Sequence, residues 1–155
     1  VGTVRIDWQG GERYDALDSK GMPVDIDGDQ ALGAKPSDLL PISLAACAAV
    51  DVVEQLAAGP GTLVGLAIEV RFLQELEPPW RFQRFHLRYL VEGRGLDPGV
   101  VERAVRHSEQ ERCSVAATLR GCVALESSVV VREAPPEAVP PPARAAGESP
   151  AGHGV

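Results

Sequence analysis

The chain lacks most of the features that declare a common function outright. Its 155 residues hold only three cysteines, an odd number and too few for the disulfide framework of a small secreted domain. No two of them have the Cys-x-x-Cys spacing of common zinc sites, so no metal is expected. There is no Gly-x-Ser-x-Gly, no His-Glu-x-x-His and no glycine-rich phosphate loop; Gly2, Gly10 and Gly11 do not form one. With those motifs go the ordinary serine hydrolase, zinc protease and nucleotide-cofactor readings, and no bound cofactor is expected. Positive charge is also scarce. Fifteen basic residues face 22 acidic ones, for a formal net charge of −7, and the basic ones are scattered. Neutralising phosphates takes clustered Lys and Arg, so nucleic acid and an anionic membrane surface are poor partners. No uninterrupted apolar run reaches the ~18 to 20 residues that span a bilayer. The first residues do not read as a basic-then-apolar signal peptide. A cytoplasmic location is the expectation, and there a cysteine pair is more often catalytic or regulatory than structural.

What the sequence does contain is one globular domain. Hydrophobic residues make up 45% and charged residues 24%, enough apolar content for a core in a chain of this length. Thr3–Trp8 alternates apolar and polar residues, Gly10-Gly11 breaks it, and Arg13–Leu17 can pair back as a hairpin, with Val24–Ile26 following. Residues 37–57 read as the main helix. Its first half has almost no polar face, which predicts a helix surrounded by protein on all sides. Pro41 fits only in the first turn, and Gly59-Pro60-Gly61 ends the helix. Two strands follow, Leu66–Phe72 and Phe85–Val91. Asp97-Pro98 then starts a helix to about His107. A short helix comes next, starting from a Ser108/Glu111 capping box or from Ser114, and Val123–Val131 makes a last strand. From Ala134 onward Pro, Ala and Gly dominate without periodicity, so the division is a domain over 1–133 and a disordered tail over 134–155. Strands in runs separated by helices imply an α+β fold.

Cys47 lies inside the apolar helix and Cys113 follows 66 positions later, in Ser108-Glu-Gln-Glu-Arg-Cys113-Ser-Val. A thiol in a buried helix with a partner thiol far off in sequence is the layout of a dithiol redox centre. Taken alone, Cys47 reads first as a small buried hydrophobe. Cys113 strengthens the redox reading: its polar neighbours place it near a surface or cleft, and a helix start beside Arg112 favours its thiolate. Cys122 leads into a strand and reads as inert packing. Asp51 shares the helix face of Cys47 and opposes a thiolate there, so an active Cys47 needs a compensating cation, with Arg13, Arg112 and Arg120 as candidates. His86 reads as structural, and His107 suits a helix C-terminus.

These stretches resemble the OsmC/Ohr family (osmotically inducible protein C and organic hydroperoxide resistance proteins), nearer its YhfA-like branch. The resemblance runs from Val4 to about Val131. It rests on Pro36-Ser-Asp-Leu-Leu, Ala45-Ala-Cys47-Ala-Ala-Val-Asp-Val-Val53, Tyr89-Leu-Val-Glu-Gly93, Val101-Glu-Arg-Ala-Val105 and the Cys113 segment. It implies an OsmC-like fold, an intertwined homodimer with two sheets around buried central helices, and a site at the dimer interface. It also implies a thiol peroxidase in which Cys47 attacks the peroxide oxygen, Cys113 resolves the sulfenic acid as a disulfide, and an external dithiol, such as a lipoyl group, reduces it. Peroxidase members add a hairpin arginine, matched here by Arg13, and a glutamate ten positions before the helix cysteine. Ser37 stands at that position and Asp38 follows it. A non-catalytic dimeric module, with the cysteines packing or sensing redox state, is the second reading.

Overall fold

Alternating side chains at the two ends of the chain build two separate three-stranded sheets, described in a computed structural model over residues 1–142. The first sheet is antiparallel throughout, in the order β1 (Arg5–Gly10), β2 (Arg13–Leu17), β3 (Pro23–Asp27). Cross-strand pairing sets Ile6 opposite Ala16, Trp8 opposite Tyr14, Tyr14 opposite Ile26 and Ala16 opposite Val24. Paired residues share a face, so one face of the sheet is apolar while Asp7, Arg13, Asp15 and Asp25 occupy the other. Among the described residues nothing covers the apolar face: Ile6, Trp8 and Val24 are exposed. The sheet makes no broad contact with the other described elements. Gly10 and Gly11, both at positive φ, make the β1–β2 turn possible. The buried Asp27 carboxylate accepts the backbone N–H groups of Asp29 and Leu32, which folds the polar loop back toward the helix.

A 3-10 turn over Pro36–Asp38 leads into α1 (Leu39–Ala58). Pro41 falls in the first turn of α1, where its missing N–H costs nothing. Pro41, Leu44, Ala48, Val52 and Leu56 recur every three or four residues and form the buried stripe. One chain supplies only part of the expected cover, which the family resemblance assigns to a homodimer. Within one chain a single stripe is buried, and Ile42 and Val50 stay 53% and 62% exposed. The physical reason is supply: one three-stranded sheet and two short helices cover one side of a 20-residue helix, not both. Within the Pro36–Ala58 span an 18-residue window has a mean hydropathy of 1.6, so by length and composition the helix is also apolar enough to cross a membrane. It is no uninterrupted apolar run, because Ser43, Asp51, Glu54 and Gln55 break it. In the fold its stripe packs into the protein core instead.

The second sheet has the order β4 (Thr62–Gln74), β5 (Phe82–Arg94), β6 (Ala124–Glu133), with β4–β5 antiparallel and β5–β6 parallel. Both long strands outrun the alternating segments that signalled them, because pairing continues past the apolar stretch. Phe85, Leu87, Tyr89 and Val91 of the central strand point into the core. A parallel neighbour requires a crossover, supplied by α2 (Pro98–His107), a five-residue π-helical turn (Ser108–Arg112) and α3 (Ser114–Leu119). Asp97 caps α2 through the Val100 N–H, at 3.0 Å, as its sequence indicated. Neither serine caps α3. Cys113 does, its Sγ accepting the Ala116 N–H at 3.3 Å.

The segment from Ala134 begins as a continuation of the body. Ala134 is buried and donates its N–H to the Gly93 carbonyl at 2.8 Å. The Arg94 guanidinium takes the Ala138 carbonyl at 2.6 Å and those of Pro135 and Pro136 at 3.4 and 3.5 Å. Residues 143–155, the remainder of the expected tail, lie outside the described residues. A chain ended after residue 142 is expected to keep the melting temperature of the full chain. One ended at Glu133 is expected to lose about 1–2 kcal/mol in chemical denaturation, since it forfeits these bonds.

Candidate dithiol site

Cys47 sits on the flank of α1 against which the π-helical turn and α3 are packed. Three side chains seat that crossover. The buried Ser108 hydroxyl donates to the Ala48 carbonyl of α1 at 3.0 Å. The Arg112 guanidinium reaches Asp51 of α1 at 3.3 Å. Arg120 donates to the Glu109 and Gln110 carbonyls at 2.7 and 3.2 Å, closing the turn on itself. The result brings Cys113 close enough to Cys47 for each to shift the other's acidity, and sets the Ser114 hydroxyl 3.9 Å from the Cys47 sulfur.

The two thiols are unequal. Burial pushes Cys47 up, but hydrogen bonds from the Cys113 thiol, the Val115 amide, and the Ser114 hydroxyl and amide outweigh it and hold Cys47 below the ordinary thiol range. Burial pushes Cys113 up, and its bond to Cys47 adds to that against the opposing Ala116 amide. Cys47 is therefore the better thiolate and Cys113 the thiol that supports it. Exposure runs opposite to the sequence expectation. Cys113, with its polar flanks, is 2% exposed, whereas Cys47 in the apolar helix is half-buried. The reason is that Cys113 turns inward to cap α3, while Cys47 lies off the buried stripe. Cys122, expected as packing, is exposed in the turn before β6.

Asp51, one turn along from Cys47, does not go uncompensated: Arg112 and the Gln55 amide (2.7 Å) both engage it. Arg112 thus acts on Asp51, and Arg120 on carbonyls. The other two residues proposed from sequence make no recorded bond to Cys47 among the described residues. Arg13 lies on the charged face of the first sheet and has no side-chain hydrogen bond or ion pair recorded among the described residues. Asp38 stands at the N-cap of α1 without a capping bond, nine residues or about 13 Å along the axis from Cys47. Next to it, the Ser37 hydroxyl is buried with no hydrogen-bond partner among the described residues. His86 is half-buried in β5, and His107 pairs with Glu111 at 3.4 Å. Sequence reasoning missed Ser114 and the amides behind it. The Cys-Ser pair at a helix start was the available signal.

An apolar groove of 670 Å³ lies elsewhere on α1, between Ala45, Ala49 and Val53 and the β4 residues Leu63, Leu66 and Ile68. Ala45 and Ala49 are each two positions from Cys47, about 200° round the helix, so the groove and the thiol face opposite ways.

A half-exposed thiol held below the ordinary range and a buried thiol beside it lie on an α+β scaffold of two small sheets and a long apolar helix. The chain belongs to the OsmC/Ohr family: the model for OsmC-like protein matches residues 27–128. It is 29% identical over 128 residues to protein YhfA of Escherichia coli, covering 82% of this chain and 96% of that one. Among solved structures, an OsmC-like protein from Mycoplasma pneumoniae superposes with a TM-score of 0.71 at 16% identity, over 86% of this chain and 96% of the other. The organic hydroperoxide resistance protein OhrB of Bacillus subtilis does so with a TM-score of 0.57 at 17% identity, over 84% and 98%. At such identities these two matches speak for the fold alone.

At neutral pH iodoacetamide is expected to modify Cys47 well ahead of Cys113, with an apparent thiol pKa below the ordinary value. Ser114→Ala is expected to raise that pKa and slow the reaction, which a pH series of alkylation rates followed by peptide mapping measures.

Proposed function

We propose that the chain is a homodimeric thiol peroxidase that reduces organic hydroperoxides. The observation that carries this reading is the unequal pair: a half-buried Cys47 thiol held below the ordinary range, with a buried Cys113 thiol held above it close by. Cys47 attacks the distal peroxide oxygen, the O–O bond breaks, and the alkoxide leaves as alcohol with a proton, giving a sulfenic acid. The Cys113 sulfur then displaces hydroxide from the Cys47 sulfur, and its proton departs with that hydroxide as water. An external dithiol, with a lipoyl group as the candidate, returns the disulfide to two thiols. Membership of the OsmC/Ohr family is the context in which this reading is made.

The homodimer is supported by two uncovered apolar surfaces in one chain: the Ile6–Trp8–Val24 face of the first sheet and the far side of α1. Their burial against a second copy is worth roughly 25 cal/mol per Å². Arg13 makes no recorded bond to Cys47 among the described residues, and a cation brought to Cys47 in a dimer would depress it further. Alkyl hydroperoxides are favoured over hydrogen peroxide, because apolar surface near the interface is repaid by burying alkyl groups. Free, unpaired cysteines suit a cytoplasmic setting.

One observation favours the second reading, a non-catalytic or redox-sensing module. Ser37 takes the place of the carboxylate the family resemblance calls for, and its hydroxyl is unpartnered. Turnover decides between them. Purified protein with cumene or t-butyl hydroperoxide and a dithiol should consume peroxide above a no-enzyme control. Cys47→Ser should abolish this, and Cys113→Ser should give one sulfenic acid per subunit with turnover slowed or stopped. No consumption by the wild type leaves the module reading. Sedimentation at micromolar concentration is expected to give a dimer; a stable folded monomer refutes that part.

A further inference from the structure

The side chain of Glu109 is placed for a task that the dithiol cycle leaves unassigned. One carboxylate oxygen accepts the Tyr89 hydroxyl of β5 at 2.9 Å, and the other accepts the Ser127 hydroxyl of β6 at 3.0 Å. Tyr89 is fully buried, and burial, then the Glu109 charge, hold its phenol protonated, so it is a permanent donor. The other side chains that seat the π-helical turn act along α1 or within the crossover: Ser108 and Arg112 on α1, Arg120 on the turn's own carbonyls. Among the described residues, Glu109 alone links the turn to the second sheet by side-chain hydrogen bonds. Drawing a carboxylate toward a buried phenol costs desolvation, which only well-formed bonds offset. Leu125 and Leu87, close by, show that apolar packing was available at the same place. A carboxylate there fixes geometry, because its two oxygens take one donor each from two different strands.

We infer that Glu109 is the positioning residue of the resolving thiol: bonded to Tyr89 and Ser127, it sets the height of the Ser108–Arg112 turn over the sheet and so presents Cys113 to Cys47. The turn closes with the Cys113 N–H on the Ser108 carbonyl at 2.8 Å, the wide i→i+5 geometry that recurs at functional sites. Cys113 is thus the residue whose position the turn determines. Disulfide formation is steep in this respect, since a displacement of about 1 Å can cost on the order of a hundredfold in effective concentration. The inference rests on the dithiol reading of the site but not on peroxide as the oxidant.

The test is therefore run in glutathione redox buffer. There Cys47 and Cys113 lose two protons and two electrons, and one glutathione disulfide is reduced to two glutathiones. The equilibrium constant for the Cys47–Cys113 bridge, read by quenched alkylation and mass spectrometry, is expected to fall at least tenfold in Glu109→Ala. Glu109→Gln keeps an acceptor for Tyr89 and gains an amide donor for Ser127, and is expected within about threefold of wild type. If Glu109→Ala does not fold, Tyr89→Phe and Ser127→Ala each remove one bond and should each give an intermediate loss. A Glu109→Ala constant equal to wild type overturns the inference; so does a Glu109→Gln loss as large as that of Glu109→Ala, or a wild type that forms no such bridge. A wild type that ignores hydroperoxides yet shows this pattern leaves the positioning role intact and removes only the peroxidase reading.

Discussion

The seating of one five-residue turn on one helix governs everything chemical in this molecule. The Ser108 hydroxyl, fully buried, has the Ala48 carbonyl as its acceptor, and it can reach that acceptor only when the crossover lies flat on α1. Breaking that bond would strand a buried hydroxyl, which costs more than the bond itself is worth. The two thiols, the Ser114 hydroxyl and the α3 amides meet because this contact fixes the turn in place. The chemical asymmetry between Cys47 and Cys113 is a consequence of packing: the same crossover that buries one sulfur hands hydrogen bonds to the other.

The long helix shows how one element serves several surfaces. Its Leu44–Leu56 stripe makes the core, its Cys47–Asp51 flank receives the crossover, and its Ala45–Val53 face lines an open apolar groove. The first sheet is built on the same economy, with one charged face and one apolar face that nothing among the described residues covers.

Much of the fold was legible along the chain. Alternation at Thr3–Trp8, Leu66–Phe72 and Phe85–Val91 marked strands, Asp97-Pro98 marked a helix start, and Gly59-Pro60-Gly61 marked a helix end, because each is a local rule that local residues satisfy. The chain from 108 to 114 was not legible in the same way. Ser108 followed by Glu111 has the spacing of a capping box, yet Ser108 bonds across to α1 and Glu111 pairs back to His107. A long-range acceptor outcompeted a local one. Cys113 misled for the same reason: polar neighbours suggested exposure, while its own side chain turned inward to cap α3.

The sequence by itself determined which residue types were available: an apolar helix carrying one thiol, a distant second thiol, acidic surroundings and two classes of strand. These depend on composition and period, which are properties of neighbours along the chain. Only the tertiary structure decided that Cys47 rather than Cys113 is the accessible, depressed thiol, that Arg112 compensates Asp51, and that Tyr89, Glu109 and Ser127 form one network. Acidity depends on what lies within a few ångströms in space. The crossover sets those distances, folding residues 108–114 onto a helix that ended fifty positions earlier.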